Sequence, residues 1–190
     1  MDVSKVFGTV PHDILISKLD KCRLDRTTIK WIHNWLNNHK QRVTINGMMS
    51  DWREVSNGVP QGSVLGPMLF NIFINDLDVG IESLLVKFSD DSYRGGVANT
   101  LEDRAKIQRD LDKLENWAID DKMKLIKDKC KVLHLWKKNQ IHKDRMGDNW
   151  LVSSTAEKDL VVVVDPSLNM GQQCDVVAKK KKSKSNFRLL

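Results

Sequence analysis

The chain has 190 residues, enough for one domain with its own core. An apolar content of 41% and a charged content of 29% are ordinary for a globular protein. The net charge is +6, but residues 179–190 carry six basic residues and no acid, so the rest of the chain has 25 basic and 25 acidic residues. Composition therefore shows no basic excess in the body of the kind that marks a nucleic-acid-binding face.

The first segments predict a strand followed by two helices. Residues 1–7 are typical of a short strand that carries Asp2. Pro11 favours the first turn of a helix that reaches Cys22. Asp25 predicts the N-cap of a second helix, which ends near residue 38. The apolar positions of both helices have helical spacing: Ile14, Leu15 and Leu19, together with Lys18, in the first, and Ile29, Ile32 and Leu36 in the second.

Two tryptophans in the second helix allow two interpretations. Trp31 and Trp35 could stack on nucleobases, or they could belong to the core. Because they repeat at helical spacing, the sequence favours the core.

A hairpin and a glycine-rich block follow. Residues 41–46 alternate, Asn46-Gly47 is a strong turn signal, and residues 51–55 predict the returning strand. The block Gly58-Val-Pro-Gln-Gly-Ser-Val-Leu-Gly-Pro67 predicts a loop that opens an apolar helix from Met68 to Leu77.

The second half predicts further strands and two helices. Thr100 begins a long amphipathic helix to about Asp120. Residues 130–135 and 160–164 are predicted strands, and a last helix runs from about Asn169 into the lysine-rich end. Helices interleaved with hairpins indicate the α+β class.

The stretch Phe88-Ser-Asp-Asp-Ser92 ends an apolar run that begins at Leu84, and Gly95-Gly96 follows it. The pattern predicts a strand, a tight turn that carries Asp90 and Asp91, and a returning strand. Taken alone, two aspartates in a turn are more often solvated turn residues than a site. Two carboxylates near a core are costly without compensation, and Mg²⁺ is the usual compensation.

Three blocks taken together resemble the reverse transcriptase domain of non-LTR retrotransposons of the LINE, jockey and CR1 type. The aspartate block at Asp2, the block from Gly58 to Pro67 and the Phe-x-Asp-Asp block stand in the family's order, and the segment from Lys129 to Leu135 follows them. The resemblance extends over residues 1 to about 178. It implies a palm built from an antiparallel sheet with packed helices.

The resemblance also implies which residues carry the chemistry. Asp2, Asp90 and Asp91 would hold two Mg²⁺ or Mn²⁺ ions, as two-metal nucleotidyl transfer requires. Phe7 would lie under the sugar, although an ordinary core phenylalanine is nearly as good a reading. Contacts to the nucleotide and template would come from four further residues: Gly58, Gln61, Gly62 and Lys129. An RNA template, a DNA primer and deoxynucleoside triphosphates are the implied partners.

The same resemblance predicts what this stretch lacks. Residues 1–178 correspond to a partial palm, without the fingers and thumb, and residues 179–190 to a basic tail that is disordered or a helix end. The expectation is that this chain by itself extends no primer. Departures from the family at Val6, Ile126 and Trp136 keep open a second hypothesis, a non-catalytic relic with at most weak nucleic-acid binding through its tail.

The three cysteines, Cys22, Cys130 and Cys174, lie far apart and form no Cys-x-x-Cys pair. Their spacing disfavours disulfides, a disulfide-linked partner and a zinc site, as in a reducing compartment. No basic-then-apolar leader follows Met1, and the longest apolar runs are too short for a bilayer. The expected location is the nucleus or cytoplasm, without membrane association.

Overall fold

The computed structural model describes residues 6–88, 91–135, 142–159 and 162–185, and it mixes helices with short strands as the sequence predicts. The helices of this described part are α1 (Val6–Thr9), α2 (His12–Lys21), α3 (Arg26–Asn37), α4 (Leu65–Phe73), α5 (Leu101–Asp120) and α6 (Gly171–Ser185). No helix in these ranges has both the length and the apolarity needed to cross a bilayer.

The strands of the described part pair two by two. The antiparallel pairs are β1 (Lys40–Gln41) with β4 (Arg53–Glu54), β2 (Thr44–Ile45) with β3 (Met48–Met49), β5 (Leu84–Phe88) with β6 (Asp91–Gly95), β8 (Arg145–Met146) with β9 (Asn149–Trp150), and β11 (Glu157–Asp159) with β12 (Val162–Val164). A parallel pair joins β7 (Lys131–Leu133) to β10 (Val152–Ser154). The antiparallel pairing expected for this chain therefore predominates.

Local sequence signals explain where several elements begin. Asp25 caps α3 by accepting a hydrogen bond from the Thr28 amide at 2.9 Å. Thr100 and Asp103 form a reciprocal capping box at the start of α5. Asn46 and Gly47 have φ values of 50° and 81°, the left-handed pair that a two-residue hairpin turn requires.

Two predicted boundaries are wrong. Residues 6–9 form a helical turn, not the end of a strand. Helix α4 begins at Leu65, before Met68, and it ends at Phe73, after which Asn75–Asp78 form a 3₁₀ turn. Proline is tolerated in the first helical turn, where its missing N–H has no intrahelical partner, so Pro67 does not delay the helix.

The main core lies between the first four helices and the end of α5. Its fully buried side chains include Leu15 and Leu19 of α2, Leu36 of α3, and Phe70 and Phe73 of α4. A smaller cluster joins α5 to the segment after it through Ile107, Leu111, Cys130 and Met146.

The core interpretation of the two tryptophans is only half right. Trp35 is half-buried and packs against the main core, whereas Trp31 is 57% exposed. The two residues differ because Trp31 lies off the buried face of α3, which is formed by Ile32 and Leu36.

Candidate functional site

The segment Phe7–Val10 and the glycine-rich loop are joined by backbone hydrogen bonds. The Gly58 amide donates to the Val10 carbonyl at 2.7 Å, and the Val59 amide donates to the Phe7 carbonyl at 2.6 Å. The structure thus brings together two of the predicted site residues, Phe7 and Gly58, which are 51 positions apart in the sequence.

Gly58 is required at this junction for two reasons. Its φ is +96°, a conformation that residues with a Cβ rarely adopt. A Cβ on Gly58 would also lie 2.8 Å from both the Gly8 Cα and the Phe7 carbonyl oxygen. The close approach at Gly58 is therefore to the backbone of the chain's own first helical turn.

His12 holds the same junction from the other side. Its buried imidazole places Nε2 2.7 Å from the Gly58 carbonyl oxygen and Nδ1 3.3 Å from Asn37 Oδ1. A donating Nε2–H satisfies a carbonyl that would otherwise be buried without a partner. No pattern in the sequence indicates this role, since the contact depends on α2, α3 and the loop meeting in space.

The Phe7 ring is half-buried and lies against the ring of Phe70 in α4, with 4.7 Å between centroids and 38° between planes. This packing supports the reading of Phe7 as a core residue. The ring is also partly exposed beside the glycine-rich loop, so it can contact a ligand while it stays packed against Phe70.

The loop from Pro60 to Gly66 is tied to the start of α4. Ser63 Oγ donates to the Pro60 carbonyl at 2.7 Å and accepts from the Gly66 amide at 2.9 Å. A Cβ on Gly66 would lie 2.5 Å from the Pro60 oxygen, so this position also needs glycine. Gln61 and Gly62 are exposed at the tip of the loop. Gln61 is thus presented to solvent by an anchored loop.

The predicted acidic residues lie largely outside the described residues. Asp2 and Asp90 belong to ranges that the structure does not describe, and of Asp91 only the backbone is described, as the first residue of β6. The predicted hairpin itself is confirmed, with Phe88 paired to Asp91. Within the described residues, no group of three or more His, Cys, Asp or Glu side chains could hold a metal ion.

Lys87 connects this hairpin to the end of α4. Its Nζ donates to Asp78 Oδ1 at 3.0 Å, to the Asn75 carbonyl at 3.2 Å and to the Ile74 carbonyl at 3.4 Å. The hydrogen bond from Lys87 lowers the pKa of Asp78 from its usual value. Lys87 immediately precedes Phe88, so it positions the strand that leads into the aspartates.

Asp110 of α5 contacts the residues just before β5 and Arg94 of β6. Its carboxylate is fully buried and accepts from the amides of Glu82 at 2.9 Å and Ser83 at 3.1 Å, and from the Ser83 hydroxyl. The Arg94 guanidinium of β6 approaches the same carboxylate at 3.4 Å. Burial alone would raise the pKa of Asp110, but these hydrogen bonds and Arg94 hold it below its usual 3.8.

We expect the substitution Asp110→Asn to lower the free energy of unfolding by about 1–3 kcal/mol at neutral pH, because it removes a charged acceptor from buried donors. A carboxyl whose pKa is depressed by folding stabilises above its unfolded pKa, and the stabilisation is lost as the pH falls through the folded pKa. Urea unfolding below about pH 4 should therefore depend less on pH in this variant than in the wild type.

Asp112→Asn provides the matched control for that experiment. Asp112 lies on the same helix but is only half-buried, and it accepts a single hydrogen bond from Gln108 at 2.8 Å. Its loss should cost less than about 1 kcal/mol. Equal losses in the two variants would contradict the role assigned to Asp110.

Lys129 lies at a cavity beside β6. It ends the 3₁₀ turn Lys127–Lys129 and, together with Ser92, Tyr93 and Arg94 of β6, it lines a cavity of about 620 Å³. Phe7, Gly58 and Gln61 do not line this cavity. The structure therefore associates Lys129 with the strand that follows the aspartates, not with the glycine-rich loop.

Known proteins of one family are similar to most of this chain. The profile of the reverse transcriptase (RNA-dependent DNA polymerase) family matches residues 1–144. The RNA-directed DNA polymerase from mobile element jockey of Drosophila funebris is 30% identical over 139 residues, which are 68% of this chain and 15% of the relative.

Two further relatives extend the comparison. An uncharacterised 91 kDa protein in a cob intron of Schizosaccharomyces pombe is 31% identical over 80% of this chain and 18% of its own length. A probable RNA-directed DNA polymerase from transposon BS of Drosophila melanogaster is 36% identical over 40% of this chain and 8% of its own length. The chain thus spans less than a fifth of each of these relatives. Because the family profile matches three quarters of the chain and the relatives include polymerases of mobile elements, the chain belongs to the reverse transcriptase family and is a part of such a domain of the non-LTR retrotransposon kind.

Proposed function

We propose that residues 1–178 are part of the palm of an RNA-directed DNA polymerase, and that residues 179–190 are a basic tail outside it. The observation that supports this proposal best is the backbone junction between Phe7–Val10 and Gly58–Val59. It joins the segment that follows the first aspartate to the loop that presents Gln61. The family match and the relatives favour this function over that of a non-catalytic relic.

Asp2, Asp90 and Asp91 are the proposed metal ligands. Carboxylate oxygens are the donors that Mg²⁺ and Mn²⁺ prefer, and the chain reverses between Phe88 and Asp91, which suits a compact acidic turn. Two such ions, when bound, stabilise the attacking and leaving oxygens of nucleotidyl transfer. The role of the described residues is to position the strands beside this turn: Lys87 acts from β5, and Asp110 contacts the residues just before β5 and Arg94 of β6.

Phe7, Gly58, Gln61, Gly62 and Lys129 are the proposed contacts to substrate. Gln61 is exposed on a loop anchored by Gly58 and Ser63, so it can bind a nucleotide or a template base without reorganising the loop. The proposed partners are an RNA template, a DNA primer and deoxynucleoside triphosphates. Because this chain covers only a small part of its relatives, we expect it by itself to extend no primer.

The acidic cluster can be tested without polymerase activity by titrating the chain with Mn²⁺ and following free Mn²⁺ by electron paramagnetic resonance. We expect binding that weakens at least about tenfold in the double variant Asp90→Asn/Asp91→Asn, because carboxylates supply the ligands. The matched control is Asp51→Asn/Glu54→Gln, which removes the same charge from two exposed positions of the β1–β4 hairpin. Equal Mn²⁺ affinity in the wild type and the Asp90/Asp91 variant would refute the metal site.

A further inference from the structure

One segment of the body carries a basic excess that the overall composition conceals. Residues 21–54, comprising α3 and the hairpin β1–β4, hold seven basic and three acidic residues, whereas the rest of the body up to residue 178 holds 18 basic and 22 acidic residues. We call residues 21–54 the α3–hairpin surface. All seven of its basic side chains are exposed: Lys21, Arg23, Arg26, Lys30, Lys40, Arg42 and Arg53.

An aromatic row runs along the α3 part of this surface. Trp31 and Trp35 lie parallel, with 6.3 Å between centroids and 8° between planes, and the ring of His39 meets Trp35 edge-on at 5.1 Å. These residues follow one another at intervals of four positions, so they lie on one side of α3 and of the turn that ends it. Trp35 packs on the core, and the outermost ring, Trp31, is mostly exposed.

The hairpin continues the surface beyond the end of α3. The Val55 amide donates to the His39 carbonyl at 3.0 Å, which fixes the base of the hairpin beside the aromatic row. Trp52 is 59% exposed, and the guanidinium of Arg42 lies 4.5 Å from the centre of its ring. Every residue from Lys40 to Glu54 is exposed, including four apolar side chains, Val43, Ile45, Met48 and Met49.

We propose that the α3–hairpin surface binds a single-stranded nucleic acid, with bases stacking on Trp52 and Trp31 and phosphates lying against the arginines and lysines around them. Exposed aromatic rings interleaved with basic side chains are the arrangement that binds unpaired strands without sequence preference. Arg42 already lies over an aromatic ring and can contact a phosphate from there. Charge complementarity selects this partner, because a second copy of the chain would place one basic surface against another.

This binding goes beyond the proposed polymerase chemistry. None of the residues proposed to hold metal ions or nucleotide belongs to residues 21–54. Stacking and phosphate contacts need no metal ion, so the binding can be measured in EDTA. The result of that measurement is therefore independent of the Mn²⁺ titration.

The experiment is a fluorescence anisotropy titration of the full chain with a labelled 20-nucleotide oligouridylate in EDTA at low salt. We expect Trp52→Ala and Trp31→Ala each to weaken binding roughly tenfold, since each removes an aromatic ring on which one base stacks. Trp52→Phe should retain most of the affinity, because it keeps an aromatic face. Arg42→Gln should weaken binding and also lower its salt dependence.

The matched control is Trp150→Ala. Trp150 is 63% exposed, close to the 59% of Trp52, but it lies on β9, outside residues 21–54. Its loss should leave the affinity unchanged. Replacing the four consecutive lysines 179–182 by glutamine should weaken binding only through the loss of phosphate contacts. Trp52→Ala should lower the affinity by the same factor in that background.

Three outcomes would overturn the proposal. Trp52→Ala and Trp31→Ala could bind like the wild type, Trp150→Ala could weaken binding as much as they do, or a duplex of the same sequence could bind as tightly as the single strand. Circular dichroism of each variant verifies folding. If an alanine variant unfolds, the affinities of Trp52→Phe and Arg42→Gln still distinguish the contribution of stacking from that of charge.

Discussion

The substitution Lys18→Met is expected to lower the free energy of unfolding by about 3–5 kcal/mol, because it leaves the buried carboxylate of Asp121 without its cation. Lys18 Nζ donates to Asp76 Oδ1 at 2.7 Å, to the Phe73 carbonyl at 2.8 Å and to the Asp121 carboxylate. The ammonium also lies 4.5 Å from the ring centre of Phe73. Methionine keeps most of the side-chain volume of lysine, so the measured loss of stability is due mainly to the removed charge.

The contacts of Lys18 explain the size of the expected effect. They connect α2 to the end of α4, to the 3₁₀ turn at Asp76 and to the turn after α5. Burial raises the pKa of Asp121 although Lys18 opposes this rise, so the carboxylate is costly even in the wild type. Without Lys18, Asp121 would take up a proton or draw in water, and either change loosens three elements at once.

Lys122→Ala is the matched control for chemical unfolding in urea. Lys122 pairs with Asp13 at 3.0 Å, but both side chains are 65% exposed. Such an exposed, solvent-screened pair contributes little to stability, so the control should unfold nearly as the wild type does. A loss below about 1 kcal/mol for Lys18→Met would show that the buried cluster is not held by its charge.

The substitution Gly58→Ala is expected to destabilise the chain by about 2–5 kcal/mol, because it combines backbone strain with a steric clash. The positive φ at Gly58 is unfavourable for alanine, and the new Cβ would meet the backbone of Phe7 and Gly8 at 2.8 Å. Backbone cannot rotate away as a flexible side chain can. The junction between Phe7–Val10 and the glycine-rich loop must therefore open or shift.

Three other glycines separate the two contributions. Gly62 has a φ of +85° with open space around it, so Gly62→Ala should cost about 1–2 kcal/mol from strain alone. Gly66 has no positive φ, but its Cβ would lie 2.5 Å from the Pro60 oxygen, so Gly66→Ala should cost about 1–3 kcal/mol from the clash alone. Gly8 has neither feature, and Gly8→Ala should change stability by at most about 1 kcal/mol.

Urea unfolding of the four variants at one pH tests this scheme. Limited proteolysis at the loop should in addition show faster cleavage in Gly58→Ala than in Gly62→Ala, since only the former displaces the anchored segment. If Gly58→Ala were no less stable than Gly62→Ala, the close packing of the loop on Phe7 and Gly8 would be disproved.

Local patterns in the sequence predicted most of the elements. Helical spacing and caps placed α2, α3 and α5 within one or two residues, and the Asn46-Gly47 turn placed its hairpin. The errors at residues 6–9 and at the start of α4 have a common cause. Short segments with mixed signals take the conformation that their packing partners impose, and both segments pack at the glycine-rich loop.

The site shows a similar division. Motif order identified the family, the glycine-rich loop and the hairpin of the aspartates, and the placement of Asp2 and Asp90 stays a prediction because they lie outside the described residues. His12, Lys87 and Asp110, which hold the loop and the hairpin, had no signal in the sequence. Each acts through contacts with residues 9 to 46 positions away, and such contacts leave no periodic pattern.

The sequence by itself determined most of the secondary structure and the family, because caps, turns, periodicity and motifs are local properties of the chain. Only the tertiary structure decided that Lys18 is buried among carboxylates, that Gly58 faces the backbone of Gly8, and that Trp31 is exposed while Trp35 is not. Helical spacing predicts only that two residues lie near the same side of a helix. Which side is covered depends on the neighbouring elements. Their packing therefore decides which side chains are buried, and burial sets the free-energy cost of an unpaired charge or a missing hydrogen bond.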